Sequence, residues 1–305
     1  MDPINGLIIR SQSGFYTVET EAGLLFCQLR GRLKQGAREG DLVDIGDRVK
    51  VSVLDDEKGM IEEVMPRQRM FTRLAPTPRG EYQQIIISNP DQAIFVFSCA
   101  EPAPRLRMLD RFLVIAEKQE VPAKIVANKI DLVGIEQAQA IFGHYPDIGY
   151  PILYTSAKTG TGIDELHEAL SHKISLLAGP SGTGKSSLLN VIQPGLGLAV
   201  QQVSQATGRG QHTTVAREMF PLECGGYVAD TPGLKALALW DMEPEEIDGY
   251  FPEIKPLVVD CQFNDCSHVH EPGCAVKNAV DVGSIPVERY ESYLRLRLED
   301  EDNYP

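Results

Sequence analysis

Hydrophobic and polar positions alternate in short runs from Gly6 to about Met65, with Gly and Asp between the runs. Phe15-Tyr-Thr-Val-Glu-Thr, Gly23-Leu-Leu-Phe-Cys-Gln-Leu and Arg48-Val-Lys-Val-Ser-Val-Leu54 each predict a half-buried strand, with Val49, Val51 and Val53 sharing one face. About five such strands in roughly 60 residues suit a small barrel; an OB-type barrel is expected over an SH3-like one, which strand counting alone does not separate. Residues 66–80, with three prolines and four arginines, read as an extended linker and the first domain boundary.

From residue 81 the period changes. Gln92 to Ser98, Ala123 to Ala127, Ile152 to Thr155 and Ile174 to Ala178 are apolar runs of strand length, and Leu106 to Lys118, Ile135 to Phe142 and Ile163 to Leu170 between them carry helical spacing. Strict alternation of this kind predicts a parallel sheet with helical crossovers. Gly195 to Thr214 has no periodicity and is expected to be a mobile loop; Ala216 to Leu222 and Tyr227 to Ala229 are the next strands. Beyond Pro244 the chain is acidic and mixed, ending in a predicted helix from Pro286 to Leu298.

Four of the loops that follow these strands carry chemistry. Gly179-Pro180-Ser181-Gly182-Thr183-Gly184-Lys185-Ser186 is a complete G-x-x-x-x-G-K-[ST] phosphate loop between a strand and a helix opening at Ser187. Its glycines let backbone N–H groups approach an anion at a helix N-terminus, Lys185 would reach the β- and γ-phosphates, and the Ser186 hydroxyl would hold Mg²⁺. Asn128-Lys129-Ile130-Asp131 follows another strand; a carboxylate at Asp131 can accept from guanine N1–H and the 2-amino group, a pair adenine does not offer. The Lys129 stem can lie along the base, and Asn128 can bond its polar edge or brace a neighbouring loop. Ser156-Ala157-Lys158 is placed to give backbone N–H to guanine O6. Asp230-Thr-Pro-Gly233 ends a further strand, with Asp230 toward a Mg²⁺-bound water and the Gly233 N–H toward a γ-phosphate. Thr213 or Thr214 would add a hydroxyl to Mg²⁺, with Thr214 the candidate ligand and Thr213 a candidate nucleotide contact. Together these motifs predict GTP with Mg²⁺.

Their order is unusual, because the base motifs precede the phosphate loop, so the domain reads as circularly permuted. Cys261-x4-Cys266-x-His268-x5-Cys274 follows, a donor set for closed tetrahedral zinc, with His270 as the alternative nitrogen. The expected architecture is therefore multidomain: an OB-type β-barrel over 1–65, the linker over 66–80, a circularly permuted α/β GTPase domain over 81–240, and a mostly helical zinc-binding module over 241–305.

Charge modifies this picture only locally. The formal net charge is −14, but residues 241–305 hold 5 Lys/Arg against 16 Asp/Glu while residues 1–240 hold 24 against 27. A basic stretch at Arg30, Arg32, Lys34 and Arg38 therefore stands in a nearly balanced region and can meet a phosphate backbone. No apolar run spans a bilayer and the N-terminus lacks a secretory pattern, so a cytoplasmic protein is expected. Cys27, Cys99 and Cys224 read as scattered free thiols.

The permuted order, the phrase Gly208-Arg-Gly-Gln-His-Thr-Thr214 and the Cys-x4-Cys-x-His-x5-Cys module closely resemble the RsgA (YjeQ/YloQ) family of bacterial small-ribosomal-subunit biogenesis GTPases, over essentially the whole chain. The resemblance implies an OB fold, one structural zinc on Cys261, Cys266, His268 and Cys274, and GTP hydrolysis stimulated by the 30S subunit in late maturation, with 30S and its rRNA as partners of a monomeric protein. Leu234 follows D-T-P-G and cannot orient water, so turnover is expected to be slow; His212 is the available substitute, with Lys185 and Thr214 as the other catalytic candidates. A nucleotide-gated rRNA- or ribosome-binding module with incidental hydrolysis is the alternative.

Overall fold

The computed structural model describes residues 2–34, 42–77, 80–196, 217–230 and 242–298. Strands β1 (Ile4–Gln12), β2 (Phe15–Thr20), β3 (Gly23–Leu29), β4 (Arg48–Val53) and β5 (Lys58–Val64) follow one another in the order β1-β2-β3-β5-β4, and β1 also pairs with β4. That second pairing closes the sheet, which is why alternate residues Ile8, Val18, Leu25, Val49, Val51 and Ile61 are all buried in one small core. The expected OB-like barrel is present.

The stretch read as an extended linker is instead the first arm of a hairpin, β6 (Met70–Thr77) with β7 (Gly80–Ser88). Of its prolines Pro76 lies within β6, and each arm of a two-stranded sheet has a free edge, where a residue without an N–H is tolerated. Phe71 and Ile87, paired across the hairpin, are fully buried and tie it to the main core.

The parallel sheet runs β10-β9-β8-β11-β13, from β8 (Gln92–Ser98), β9 (Ala123–Asn128), β10 (Ile152–Thr155), β11 (Ile174–Ala178) and β13 (Tyr227–Asp230), with β12 (Arg217–Pro221) antiparallel beside β13. Both faces are covered, so β8 reads as continuous apolar sequence: Phe95 and Phe97 meet α1 (Leu106–Lys118) and α2 (Ile135–Phe142), while Ile94 and Val96 meet α3 (Ile163–Leu170) and α4 (Lys185–Ile192). β12 pairs on its other side with β1, so the barrel and the parallel sheet form one continuous ladder.

The C-terminal module consists of two 3-10 stretches (Pro244–Tyr250, Lys255–Asp260), α5 (Ala275–Asp281) and α6 (Val287–Arg297). Its core of Ile247, Phe251, Ile254, Val276 and Tyr293 includes Val114 of α1. A buried charge cluster fastens the same contact: Arg289 of α6 donates to Asp110 of α1 at 2.6 Å and to Glu253 at 2.6 Å, and lies over the Phe251 ring at 4.5 Å. Among the described residues, no helix is long and apolar enough to cross a membrane.

Candidate active site and metal centre

Because β9, β10, β11 and β13 are parallel, their last residues, Asn128, Thr155, Ala178 and Asp230, all lie at the same edge of the sheet, where ligands bind in open α/β folds. The phosphate loop turns through positive φ at Gly179, Gly182 and Gly184. At Gly184 (φ 96°) a Cβ would lie 2.3 Å from Asn128 Nδ2, so the loop needs glycine both for its backbone and for the approach of its neighbour. Thr183 Oγ1 donates to Pro180 O at 3.0 Å, and Lys185 Nζ donates to Gly179 O at 2.8 Å and Pro180 O at 2.9 Å, which holds the ammonium within its own loop. Ser186 and Ser187 follow Lys185 in the first turn of α4, and Ser181 is exposed in the turn before it.

Of the two roles open to Asn128, the structure shows the bracing one. Its Nδ2 donates to Thr183 O at 2.8 Å, while its Oδ1 accepts from Thr155 Oγ1 at 3.1 Å and from Ala157 N at 3.4 Å. One buried amide thus joins the phosphate loop, the N-K-x-D loop and the S-A-K loop. Asp131 accepts from Ser156 Oγ at 2.6 Å and has Lys158 Nζ at 4.0 Å, so the carboxylate is held in place with capacity left for further donors. Lys129, at φ 65°, donates to Glu101 O. Thr155, Glu101 and their bonds were not legible from the motifs, although Thr155 directly precedes S-A-K. His212, Thr213, Thr214 and Gly233 lie outside the described residues, and Asp230 is placed as the last residue of β13.

In the C-terminal module, one donor atom from each of Cys261, Cys266, His268 and Cys274 lies within 4.8 Å of all the others. Around zinc, bonds of ~2.3 Å to sulfur and ~2.05 Å to nitrogen give tetrahedral edges of about 3.8 Å between sulfurs and about 3.5 Å between sulfur and nitrogen. Cys261 and Cys274 Sγ are 4.0 Å apart, and His268 Nδ1 is 3.5 Å and 3.4 Å from them, so the donor set fits the ion. Nδ1 is thereby the metal-facing nitrogen, and Nε2 faces Asp248 Oδ2 at 3.3 Å, the carboxylate partner that orients such a ligand. His270 is exposed and outside the cluster. Burial pushes the Cys266 thiol up to about 12, so thiolates here call for a cation.

The loop carrying His268 is held by the Glu271 carboxylate, which accepts from Ser267 Oγ at 2.6 Å, Ser267 N at 2.9 Å, and Val269 and His270 N at 3.1 Å. Those bonds, the Ser267 hydroxyl's first among them, hold its pKa well below the usual carboxylate range. Tyr290 and Tyr293 of α6 donate to the His268 and Ser267 carbonyls at 2.5 Å and 2.9 Å. No spacing rule points to Asp248, 20 residues upstream of its histidine. The remaining cysteines are unremarkable: burial pushes Cys27 and Cys99 up to about 11, away from reactivity.

A phosphate loop and guanine-type motifs on one edge of a parallel sheet, in rotated chain order, define a circularly permuted P-loop GTPase. The chain belongs to the RsgA family of small ribosomal subunit biogenesis GTPases: the RsgA GTPase signature matches residues 64–240 and that of the RsgA N-terminal domain residues 5–61. It is 44% identical over 298 residues to the small ribosomal subunit biogenesis GTPase RsgA of Gemmatimonas aurantiaca, covering 96% of each chain, and 43% identical to that of Moorella thermoacetica, covering 97% of each. The fold matches the crystal structure of YjeQ from Thermotoga maritima (TM-score 0.80, 37% identity, 99% of this chain and 100% of that one). It also matches YloQ, a circularly permuted GTPase (TM-score 0.75, 32% identity, 99% and 96%). The protein is a GTPase of ribosome biogenesis, and the family implies Mg²⁺ with GTP.

Proposed function

We propose that the chain hydrolyses GTP to GDP and phosphate as a late-acting factor in small-subunit assembly, stimulated by the 30S subunit, and that its nucleotide state controls its docking there. The observation that carries the GTP site is the Asn128 amide, whose three bonds hold the phosphate and base loops in one frame. In this reading Asp131 and the Ser156-Ala157-Lys158 loop take guanine, with Lys129 along the base. The loop Gly179 to Ser186, with Ser187 and Thr213, takes the phosphates, and Lys185 offsets the charge of the transferring group. Ser186, Thr214 and Asp230 would hold Mg²⁺, Gly233 would meet the γ-phosphate, and His212 would orient the attacking water. Cys261, Cys266, His268 and Cys274 would hold zinc with four protein ligands and leave no site for a substrate, so the ion would stabilise the module.

Two features of the barrel support RNA as its partner. Arg30 and Arg32 both pair with Glu62, yet their side chains remain 53% and 64% exposed. On the outer face of β2 and β3, Phe15 and Phe26 stack at 5.2 Å while being 39% and 51% exposed, a platform of the kind on which OB folds stack bases. A monomeric protein in the cytoplasm is the matching expectation.

Phosphate release should be measured with GTP alone, with purified 30S and with purified 50S. Acceleration by 30S only is expected; equal rates in all three would leave a nucleotide-gated binding module and remove the stimulated enzyme. His212→Ala should lower the stimulated rate with GTP affinity retained, and an unchanged rate would return His212 to the solvent.

A further inference from the structure

β12 is hydrogen-bonded to both parts of the molecule. Its residues Met219, Phe220 and Pro221 pair with β13, and Arg217 and Glu218 pair with Ser11 and Arg10 of barrel strand β1. Among the described residues this is the one ladder between the barrel and the parallel sheet. The strand also occupies a particular place in the chain. Thr214 stands three positions before Arg217, and the strand paired on its inner side ends at Asp230.

The side chain of Arg217 extends the backbone link. Its guanidinium donates to Asp44 Oδ2 and, at 3.0 Å, to Ile85 O of the hairpin. Asp44 is almost fully buried, so this is a charge-assisted bond shielded from water on one side. The turn that carries Asp44 is a junction. Asp44 N donates to Asp47 Oδ2 at 2.8 Å, and Asp47 accepts from Arg67 Nε at 2.8 Å and Nη2 at 2.7 Å. Gly46 N donates to Ile8 O of β1 at 2.8 Å, and Ser88 N at the end of the hairpin donates to Ile45 O at 2.9 Å. The barrel strand, the segment entering the hairpin, the hairpin's last strand and β12 therefore meet at four consecutive residues, 44–47.

We infer that the Asp44–Arg217 pair is a positioning contact that transmits engagement of the barrel to the residues flanking β12, and so sets partner-stimulated turnover while leaving the basal rate alone. The inference rests on the reading that the 30S subunit stimulates hydrolysis. A pair that merely glues the domains together would act differently: its loss would lower thermal stability and weaken 30S binding, leaving the rate at saturating 30S intact.

The test is steady-state GTP hydrolysis by the full chain over a 30S titration, for the parent, Arg217→Gln, Asp44→Asn and the exchange Arg217→Asp/Asp44→Arg, with GTP affinity and thermal midpoint measured on each. Asp44→Asn keeps the side-chain shape and serves if Arg217→Gln folds poorly. For either single variant the basal rate and GTP affinity should stay within about twofold and the 30S concentration at half-stimulation should barely move, while kcat at saturating 30S falls about tenfold, a common size for coupling between sites. The exchange should recover part of that loss. Stimulation of both single variants to the parent's kcat would overturn the inference alone, as would a change confined to half-stimulation or a parallel fall of basal and stimulated rates. A parent that 30S does not stimulate would overturn the functional reading, and the inference with it.

Discussion

Arg289→Met removes the charge that joins the C-terminal module to the GTPase sheet while keeping much of the side chain's apolar volume. In the parent, the Arg289 side chain is fully buried, and its partners Asp110 and Glu253 are 3% and 5% exposed. Burial works against the guanidinium's charge, but the two carboxylates more than offset this and hold its pKa above the ordinary value. Without Arg289 both carboxylates would be buried without their shared cation; Asp110 would keep the neutral donors Tyr145 Oη at 2.7 Å and Ser292 Oγ. Breaking a buried pair by removing one partner costs about 3–5 kcal/mol. Losing the contact over Phe251 adds about 0.5–2 kcal/mol. Against a total stability of about 5–15 kcal/mol, the module should undock well before the rest of the chain unfolds. Denaturant titration by circular dichroism, with limited proteolysis of residues 242–298 as the local probe, would show an early transition in Arg289→Met. Adding Asp110→Asn and Glu253→Gln should recover most of the loss, because no uncompensated charge remains. A loss below about 1 kcal/mol, the size of an exposed ion pair, would refute the reasoning.

Asp248→Ala should weaken zinc binding by about 10- to 100-fold in a chelator competition, because it removes the carboxylate that orients His268; unchanged retention would show that the pair at 3.3 Å does not orient the ligand. Asp131→Asn should turn nucleotide preference from GTP to XTP, since an amide donor would then face the 2-amino group; a variant still preferring GTP would refute the base site. Gly184→Ala forces a side chain into φ 96° and to 2.3 Å from Asn128 Nδ2. Strain of about 1–3 kcal/mol predicts about 5- to 150-fold weaker GTP binding by fluorescence titration, and affinity within twofold of the parent would count against the brace.

The sequence carried the elements whose cause is local. Alternation marked the barrel strands, and the runs Leu106 to Lys118 and Ile135 to Phe142 match the helices residue for residue, because each buries one stripe against the sheet. The motif loops were legible because their chemistry demands fixed residue types at short spacing. What stayed hidden depends on partners far along the chain. Arg289 and Asp110 are 179 positions apart, and the pairing of β12 with β1 joins Arg217 to Ser11; no period in either segment announces its partner. The hairpin was obscured by Pro76 and Pro78, which suggest a linker until the open sheet edges are seen. The sequence places the Cys/His module after the D-T-P-G segment without naming the surface it packs on. The structure supplies it: Arg289 fastens the module to Asp110 of α1, a link to the GTPase domain by a route other than the chain itself.

Nucleotide control of docking is tested most directly by the equilibrium affinity of the full chain for purified 30S subunits, with a non-hydrolysable GTP analogue and with GDP, at two salt concentrations. Tighter binding with the analogue is expected, weakening as salt rises because the barrel's cations displace counterions from rRNA. Equal affinity in the two nucleotide states would contradict it, since a partner that binds both conformations equally shifts neither.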